Sequence, residues 1–448
     1  MVDIQEIINK LGITPNRMQQ EVYESFKRSG TNNLIILSPT GTGKTLAYLL
    51  PIVQQLDVTS NEVQCIVVVP GRELALQSSK VVSQMGAGIR ACACYGGRPT
   101  MDEHRVLRQK QPVIVFGTPG RLNDHITKGN ILTEHVRFIV LDEYDKCLEM
   151  GFRDEMKELL SRLPHVAHHV LLSATRCQDF DTQASLADYK QLDYLPKEGG
   201  ISSRIKLYQV NSPEKDKLDS LVRLLLHVGN QSSIVFLNYR ESVERTANYL
   251  RSLGFKPTVY HGGLEQPVRE EAIYKIMNGS SNILVSTDLG SRGLDIPDVE
   301  NIINYHIPET YEAFVHRVGR TGRWQAEGKA FMILGPEEAM PEYANVEINR
   351  FEFPEGLQAE NFKIENLEIP LPKMTTLYIG KGKKSKISKG DVLGFLCKQC
   401  GLVTNEIGRI DVYDYYSLVA VQAQVVEKVL KMAVGQKIKG VKTVVEKK

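Results

Sequence analysis

Between the apolar run Leu34–Leu37 and a helical pattern that starts at Lys44 stands Ser38-Pro39-Thr40-Gly41-Thr42-Gly43-Lys44-Thr45. Two glycines so placed permit a tight turn whose backbone N–H groups point inward at an anion. A lysine closing that turn can reach β- and γ-phosphates, and the threonine hydroxyl after it suits Mg2+. Thr40, Gly41, Thr42, Gly43, Lys44 and Thr45 are therefore the candidate nucleotide cradle, with Ser38 where the general pattern has glycine. Further along, Asp142 and Glu143 close the apolar run Phe138–Leu141. A carboxylate at the end of a buried strand, beside such a lysine, can hold Mg2+. Thr45 and Asp142 are the expected metal ligands, and Glu143 is placed to orient or deprotonate water. Alone, an Asp-Glu pair at a strand end is ordinary solvated surface, and only the phosphate loop gives it a catalytic reading. Arg320 and Arg323, in His316-Arg-Val-Gly-Arg-Thr-Gly-Arg323, carry forks that match phosphate oxygens and stabilise charge on a transferred phosphoryl group. The plain alternative is a solvated basic loop.

The elements that must hold these residues follow from the apolar periods. β-branched runs at Leu34–Leu37, Cys65–Val69, Val113–Phe116, Phe138–Leu141 and Val170–Leu172 alternate with helical patterns such as Leu74–Met85. That rhythm predicts a mostly parallel sheet covered on both faces over residues 1–205. It restarts with strands at Ile205–Val210, Ile234–Leu237, Thr258–Tyr260, Ile283–Ser286, Ile302–Tyr305 and Phe331–Leu334, which predicts a second α/β domain over 206–335. The boundary falls near Leu195–Ser203, where Pro196, Gly199 and Gly200 break the pattern. Residues 336–373, punctuated by prolines, read as an extended connector lying partly on the second domain. Residues 374–448 read βαββαβ, the order of a small split-βαβ domain with one open sheet face.

Charge separates that last module from the rest. From Lys373 onward stand 15 Lys plus Arg against 6 Asp plus Glu, a net of +9, so with +2 for the whole chain the remainder carries −7. An acidic body with a basic end suits a polyanionic partner, although a merely solubilising tail gives the same count. No apolar stretch is long enough to cross a bilayer as a helix, and Asp3 and Glu6 argue against a signal peptide, so the expectation is a cytoplasmic protein with no membrane partner. Seven cysteines without a second close pair beside Cys397 and Cys400 argue against a disulfide framework or a metal knuckle.

Taken together, the phosphate loop, Asp142-Glu-Tyr-Asp145, Ser173-Ala-Thr175 and the His316–Arg323 run resemble the motif set of the DEAD-box RNA helicases. Pro70-Gly-Arg-Glu-Leu74, Gly96-Gly97, Thr118-Pro-Gly-Arg121, His261-Gly262 and Ser286-Thr-Asp-Leu-Gly-Ser-Arg-Gly-Leu-Asp295 extend the resemblance over most of residues 10–335. The resemblance implies two tandem RecA-like parallel-sheet domains, ATP and Mg2+ as cofactors, and RNA as partner. It implies that Gln19, with Gln20 beside it, reads the adenine edge through an amide that both donates and accepts, and that Asp295 lies near the ribose. It makes Ser173, Thr175, Asp288, Arg292 and His316 the link between nucleotide and RNA. Arg72, Gly97, Thr118, Arg121 and Thr287 become contacts to RNA backbone, which position RNA without reading its sequence. Gly71 and Tyr144 depart from the family's Thr and Ala, and the ring of Tyr144 could disturb packing between the Mg2+ site and Ser173-Ala-Thr175.

The C-terminal segment resembles the RNA-binding domain of the DbpA-type bacterial helicases, on Thr376-Leu-Tyr-Ile-Gly, Gly382-Lys-Lys, Gly390-Asp-Val-Leu-Gly394, Ile407-Gly-Arg-Ile and Lys437-Ile-Lys-Gly440. The resemblance implies an RRM-like domain that binds a 23S rRNA hairpin and directs a monomeric motor to pre-50S particles. Lys381, Lys383, Lys384 and Lys386 can neutralise RNA phosphates, with Lys437, Lys439 and Lys442 as a second group. Tyr378, Tyr413, Tyr415 and Tyr416 are candidates to stack on bases or to close the small core. Two other functions compete: an RNA clamp or chaperone with weak, uncoupled ATPase, and a DNA translocase.

Overall fold

The structure is a computed structural model. It describes the chain except for Met1 and residues 28–32, Thr40, 97–99, 177–188, 196–203, 289–298, 323–326, 345–346, 360–361 and 364–367, and the side chain of Gln266. Thr40, Gly97, Arg292, Asp295 and Arg323, all expected at the site, lie outside the described residues, as does most of the expected domain boundary. The described residues fall into two compact units, the chain up to Leu195 and the chain from Arg204 onward.

In the first unit β1 (Asn33–Leu37), β2 (Cys65–Val68), β3 (Ala91–Cys94), β4 (Ile114–Gly117), β5 (Phe138–Leu141), β6 (His168–Ser173) and β7 (Tyr189–Asp193) form a parallel sheet in the order β3-β4-β2-β5-β6-β1-β7. The central strands are buried on both faces, as expected where helices cover a parallel sheet. Two apolar cores result, one on each side, holding for example Ile36, Val67 and Val140 against Ile35, Val68 and Leu141. The adjacency β5-β6-β1 decides the site. It sets the C-terminal ends of three strands side by side, with Leu37 paired to Ser173 and Leu141 to Leu171. Strands β3 and β7 escape the sequence pattern because Ala-Cys-Ala-Cys and Tyr-Lys-Gln-Leu-Asp lack a β-branched apolar run.

The second unit repeats the design with β8 (Ile205–Asn211), β9 (Ser233–Phe236), β10 (Thr258–Tyr260), β11 (Ile283–Ser286), β12 (Asn301–Asn304), β13 (Gly328–Leu334) and β14 (Ile348–Arg350), in the order β10-β11-β9-β12-β13-β8-β14. Strand β14 comes from the segment read as a connector and pairs with the edge of β8, while Phe351, Phe353, Phe362 and Ile369 pack on the apolar core. The connector is thereby part of this domain's wall.

The same unit carries the terminal domain. Strands β15 (Met374–Ile379), β16 (Ile407–Val412), β17 (Ser417–Gln422) and β20 (Val445–Lys447) form an antiparallel sheet in the order β16-β17-β15-β20. Helices Lys389–Lys398 and Val426–Ala433 cover one face around Leu377, Val392, Val419 and Val429. A hairpin of β18 (Lys437–Ile438) and β19 (Val441–Lys442) interrupts the last crossover. The other sheet face is not open. Thr376, fully buried, accepts from Asn278 Nδ2 at 3.1 Å and donates to Ser280 Oγ at 2.9 Å. Arg409 lies over the ring of Tyr274, whose hydroxyl donates to the Arg409 carbonyl. The helix Gln266–Met277 and the turn after it therefore meet this face, because its Thr, Tyr and Arg side chains can pack while still finding hydrogen bonds.

At the end of β12, burial and the charges of Lys217 and Arg317 push His306 down to about 4, and its Nδ1 accepts from the Asn238 N–H at 3.2 Å. A histidine depressed in the folded state takes its proton more readily when unfolded. It therefore contributes stability above about pH 6.5, which is lost as pH falls towards about 4. We expect the urea midpoint of the second unit to drop over that window, and His306→Asn, which keeps an acceptor, to flatten the drop. An unchanged pH slope in the variant would place the acid sensitivity elsewhere.

Candidate active site

The phosphate loop leaves the end of β1, where the Ser38 N–H donates to the Ser173 carbonyl at 3.0 Å. Gly41 and Gly43 take φ of +78° and +83°, the left-handed region that glycine enters without cost. Gly43 also leaves room for Gln19, since a Cβ there would stand 2.6 Å from Gln19 Nε2. The helix Lys44–Gln55 starts at once, and Thr42 Oγ1 bridges to Ser38 Oγ at 2.7 Å and donates to the Pro39 carbonyl at 2.9 Å. Lys44 is buried and its ammonium donates to the Ser38 and Pro39 carbonyls at 2.7 and 3.2 Å. Burial holds its pKa down, opposed by Glu143, Asp145 and Asp142, so these four charges share one pocket. Thr45 is half-buried on the first turn of that helix.

Gln19 and Gln20 part company in the fold. Gln20 is exposed, whereas Gln19 is 3% exposed and joined to the loop. Its Nε2 donates to the Gly43 carbonyl at 3.1 Å and its Oε1 accepts from the Asn16 N–H at 2.9 Å. An amide has a second donor and a second lone pair, so these bonds leave room for a base edge.

The carboxylates arrive from β5. Asp142 and Asp145 are buried, as is Glu143. Burial, reinforced by Glu143, pushes Asp142 up to about 6, and its Oδ2 accepts from the Tyr48 hydroxyl at 3.1 Å. Glu143 caps the short helix Tyr144–Glu149 with φ +52°, an uncommon conformation for a side-chain-bearing residue, and its Oε2 accepts from Lys146 Nζ at 3.1 Å. Asp145 Oδ2 accepts from the Ala174 N–H at 3.1 Å and from Thr175 Oγ1 at 3.0 Å, while Ser173 Oγ binds the Thr175 backbone. Tyr144 sits at 2% exposure in the core with Leu141, Cys147 and Met156. Its ring is turned into that core, and the Asp145 contacts to Ala174 and Thr175 are made beside it. Mg2+ fits this donor set: a buried carboxylate on Asp142 and a hydroxyl on Thr45 are the hard oxygens such an ion takes.

The loops expected to face RNA are tied together by Glu103, which the sequence did not single out. Its Oε1 accepts from the Tyr95 N–H at 2.9 Å, beside Gly96, and its Oε2 meets His125 Nε2 at 3.0 Å and Arg121 Nε at 3.5 Å. Arg121 also donates to Thr100 Oγ1 at 2.6 Å, and Arg72 lies over the Tyr95 ring at 4.5 Å. Thr118 starts the helix Pro119–Thr127 on the same sheet edge. Cys94 joins Glu103 and His125 in a group with metal-like spacing, but a guanidinium on the carboxylate makes it a poor place for a cation.

In the second unit Asp288 and Thr287 follow β11, and Asp288 is gripped by the fork of Arg317, with Nη2 at 2.8 Å from Oδ2. Arg317 is fully buried and also reaches the His306 carbonyl and Asn238 Oδ1, which anchors the loop to the helix Tyr311–Val318. His316 and Arg320 are buried at 1% and 4%. In the terminal domain the two lysine groups come together: Lys383, Lys384 and Lys386 are exposed, Lys381 is half-buried, and Lys439 Nζ reaches the Lys386 carbonyl at 3.1 Å. Tyr378, Tyr413 and Tyr416 stack on one another, with centroids 5.5 Å apart for Tyr378–Tyr416 and 4.7 Å for Tyr413–Tyr416. Tyr415 is 73% exposed.

Comparison with known proteins matches residues 16–181 to the DEAD/DEAH box helicase model, 216–325 to the helicase conserved C-terminal domain and 376–447 to the DbpA RNA binding domain. The chain is 30% identical over 461 residues to the ATP-dependent RNA helicase DbpA of Bacillus subtilis, covering 98% of this chain and 96% of that one. It is 34% identical over 415 residues to the Escherichia coli protein of the same name, covering 90% and 88%. Among solved structures, S. cerevisiae Dbp5 bound to RNA and ADP BeF3 aligns with a TM-score of 0.69 at 27% identity, over 78% of this chain and 93% of that one.

Gly43→Ala would force a side chain into a left-handed turn at about 1–2 kcal/mol and push on Gln19, so nucleotide affinity should fall roughly tenfold. Titration with a fluorescent ADP analogue checks this, and undiminished affinity in the folded variant would remove Gly43 from the cradle.

Proposed function

Because this chain belongs to the DEAD-box ATP-dependent RNA helicases and ends in a DbpA-type RNA-binding domain, we propose that it remodels short duplexes of 23S rRNA during assembly of the large ribosomal subunit. It acts as a cytoplasmic monomer on pre-50S particles, held there by an rRNA hairpin on its terminal domain. The observation that supports the chemistry is the convergence of Lys44, Asp142, Glu143 and Ser173 at the adjoining ends of β1, β5 and β6.

In this reading Gly41, Thr42 and Gly43 turn backbone N–H groups to the phosphates, and Lys44 exchanges the Ser38 and Pro39 carbonyls for phosphate oxygens. Asp142 and Thr45 would hold Mg2+, which when bound supplies positive charge against the phosphate oxygens. Glu143 orients the attacking water and accepts its proton. Arg320 and Arg323 come from the second unit, so the transferring phosphoryl group is fully met only when the units close. Asp145 carries the nucleotide state to Ser173 and Thr175, and through them to the RNA contacts Arg72, Gly97, Thr118, Arg121 and Thr287. Asp288, Arg292 and His316 do the same from the second unit, with Gln19 on the adenine and Asp295 at the ribose. RNA meets the terminal domain on the side of Lys381, Lys383, Lys384, Lys386 and Lys439, since the tyrosine face is engaged with the helix Gln266–Met277.

Two measurements test this. Arg320→Ala should lower RNA-stimulated turnover by roughly 100-fold or more while ATP affinity changes far less, as expected of a group that meets phosphate on closure. Equal losses in both would assign it to ground-state binding. Lys383→Ser with Lys384→Ser should weaken the hairpin's stimulation of ATP hydrolysis and flatten its salt dependence by about one unit of slope. Hairpin stimulation that survives intact, in a panel of RNAs with and without the hairpin, would remove the lysine side from the RNA site.

A further inference from the structure

Asp142, Glu143 and Asp145 crowd the end of β5, and each is held by a different partner. Asp142 has the hydroxyl of Tyr48, and Asp145 has the Ala174 N–H and Thr175 Oγ1. Lys44, the nearest functional cation, spends its described hydrogen bonds on the Ser38 and Pro39 carbonyls. Glu143 is met by Lys146, whose side chain has 0% exposure and whose Nζ lies 3.1 Å from Glu143 Oε2. Burying an ammonium and freezing its four-carbon stem are both costly, and a lysine so placed persists only where its charge is answered. The backbone sets the pair up: Glu143 sits in the left-handed region as the helix cap, and the Lys146 N–H bonds its carbonyl at 3.0 Å, so the side chain folds back over the same turn. That constraint fixes the Cα of Glu143 and leaves its side-chain torsions to be fixed by something else.

We propose that Lys146 is a positioning residue for Glu143, its buried ammonium holding one carboxylate oxygen so that the carboxylate meets the attacking water in one orientation. This rests on the reading of Glu143 as the group that receives the water's proton. A base must sit within hydrogen-bond reach of the proton it takes, and loosening such a group by an ångström costs turnover without costing ground-state binding. Tyr48 and the Ser173–Thr175 segment hold the other two carboxylates, so the effect of Lys146 falls on hydrolysis.

Lys146→Met keeps most of the stem's volume and removes the ammonium, and Lys146→Arg keeps a cation. In the full chain with saturating RNA, Lys146→Met should lower kcat for ATP hydrolysis roughly tenfold, with KM for ATP and affinity for a non-hydrolysable ATP analogue within about twofold. Lys146→Arg should recover part of the loss. If Lys146→Met does not fold, Lys146→Gln, which donates without charge, is measured in the same way. Unchanged kcat in a folded variant overturns the proposal, as does a loss of analogue affinity that matches the loss of kcat. Glu143→Gln separates the two claims. Full turnover in that variant overturns the reading of Glu143 and the proposal with it, whereas an inactive Glu143→Gln beside a full-rate Lys146→Met overturns the role of Lys146 alone.

Discussion

Three carboxylates and two ammoniums share the buried ends of adjacent parallel strands, and much of the first unit is organised to make that tolerable. Like charges in a low dielectric repel strongly, and Asp142 registers this by rising to about 6. Each charge is therefore given a fixed partner: a tyrosine hydroxyl, a strand-end amide and hydroxyl, a buried lysine, or loop carbonyls. A site so arranged is preorganised for a highly charged ligand. Its dipoles and charges are already aimed, so little reorganisation is required when phosphate arrives.

The same bonds weld separate motifs into one body. Ser38 is bonded to Ser173, and Asp145 to Ala174 and Thr175, so the phosphate loop, the carboxylate strand and the Ser-Ala-Thr segment are linked by hydrogen bonds. Glu103 does a similar service on the far edge of the sheet, where Tyr95, Arg121 and His125 close on one carboxylate. In the second unit the Asp288–Arg317 fork binds the loop after β11 to a helix. Buried networks of this kind are stiff, because breaking one partner leaves another polar group without compensation.

The terminal domain divides its surfaces between two tasks. Its helices and one sheet face make the core, and the second face joins the helix Gln266–Met277 through Tyr274, Arg409 and Thr376. What remains for a polyanion is the lysine side, where the loop at Lys383–Ser385 and the hairpin at Lys437–Lys442 meet. The loop's shape has a steric cause: a Cβ on Gly382 would stand 2.1 Å from the Tyr413 carbonyl, so the chain can pass only as glycine.

The sequence by itself determined the classes of element and the chemistry on offer. Apolar runs located most central strands, because strands buried on both faces must be continuously apolar, and the Gly41/Gly43 turn with Lys44 and the Asp142-Glu143 pair were legible as residue types at strand ends. Short strands with small or polar residues, Ala91–Cys94, Tyr189–Asp193 and Ile348–Arg350, were not legible, since their pairing is decided by neighbours that are distant in the chain. Nor could local pattern identify Glu103, Tyr48, Lys146 or Arg317, which read as ordinary helix residues until the fold buries them against their partners. Only the tertiary structure chose Gln19 over Gln20 and turned Tyr144 into the core. Only it closed the tyrosine face of the terminal sheet. The reason is common to all: a side chain's partner, and hence its pKa and its work, depends on which strand ends and faces are brought together, and that information is not local.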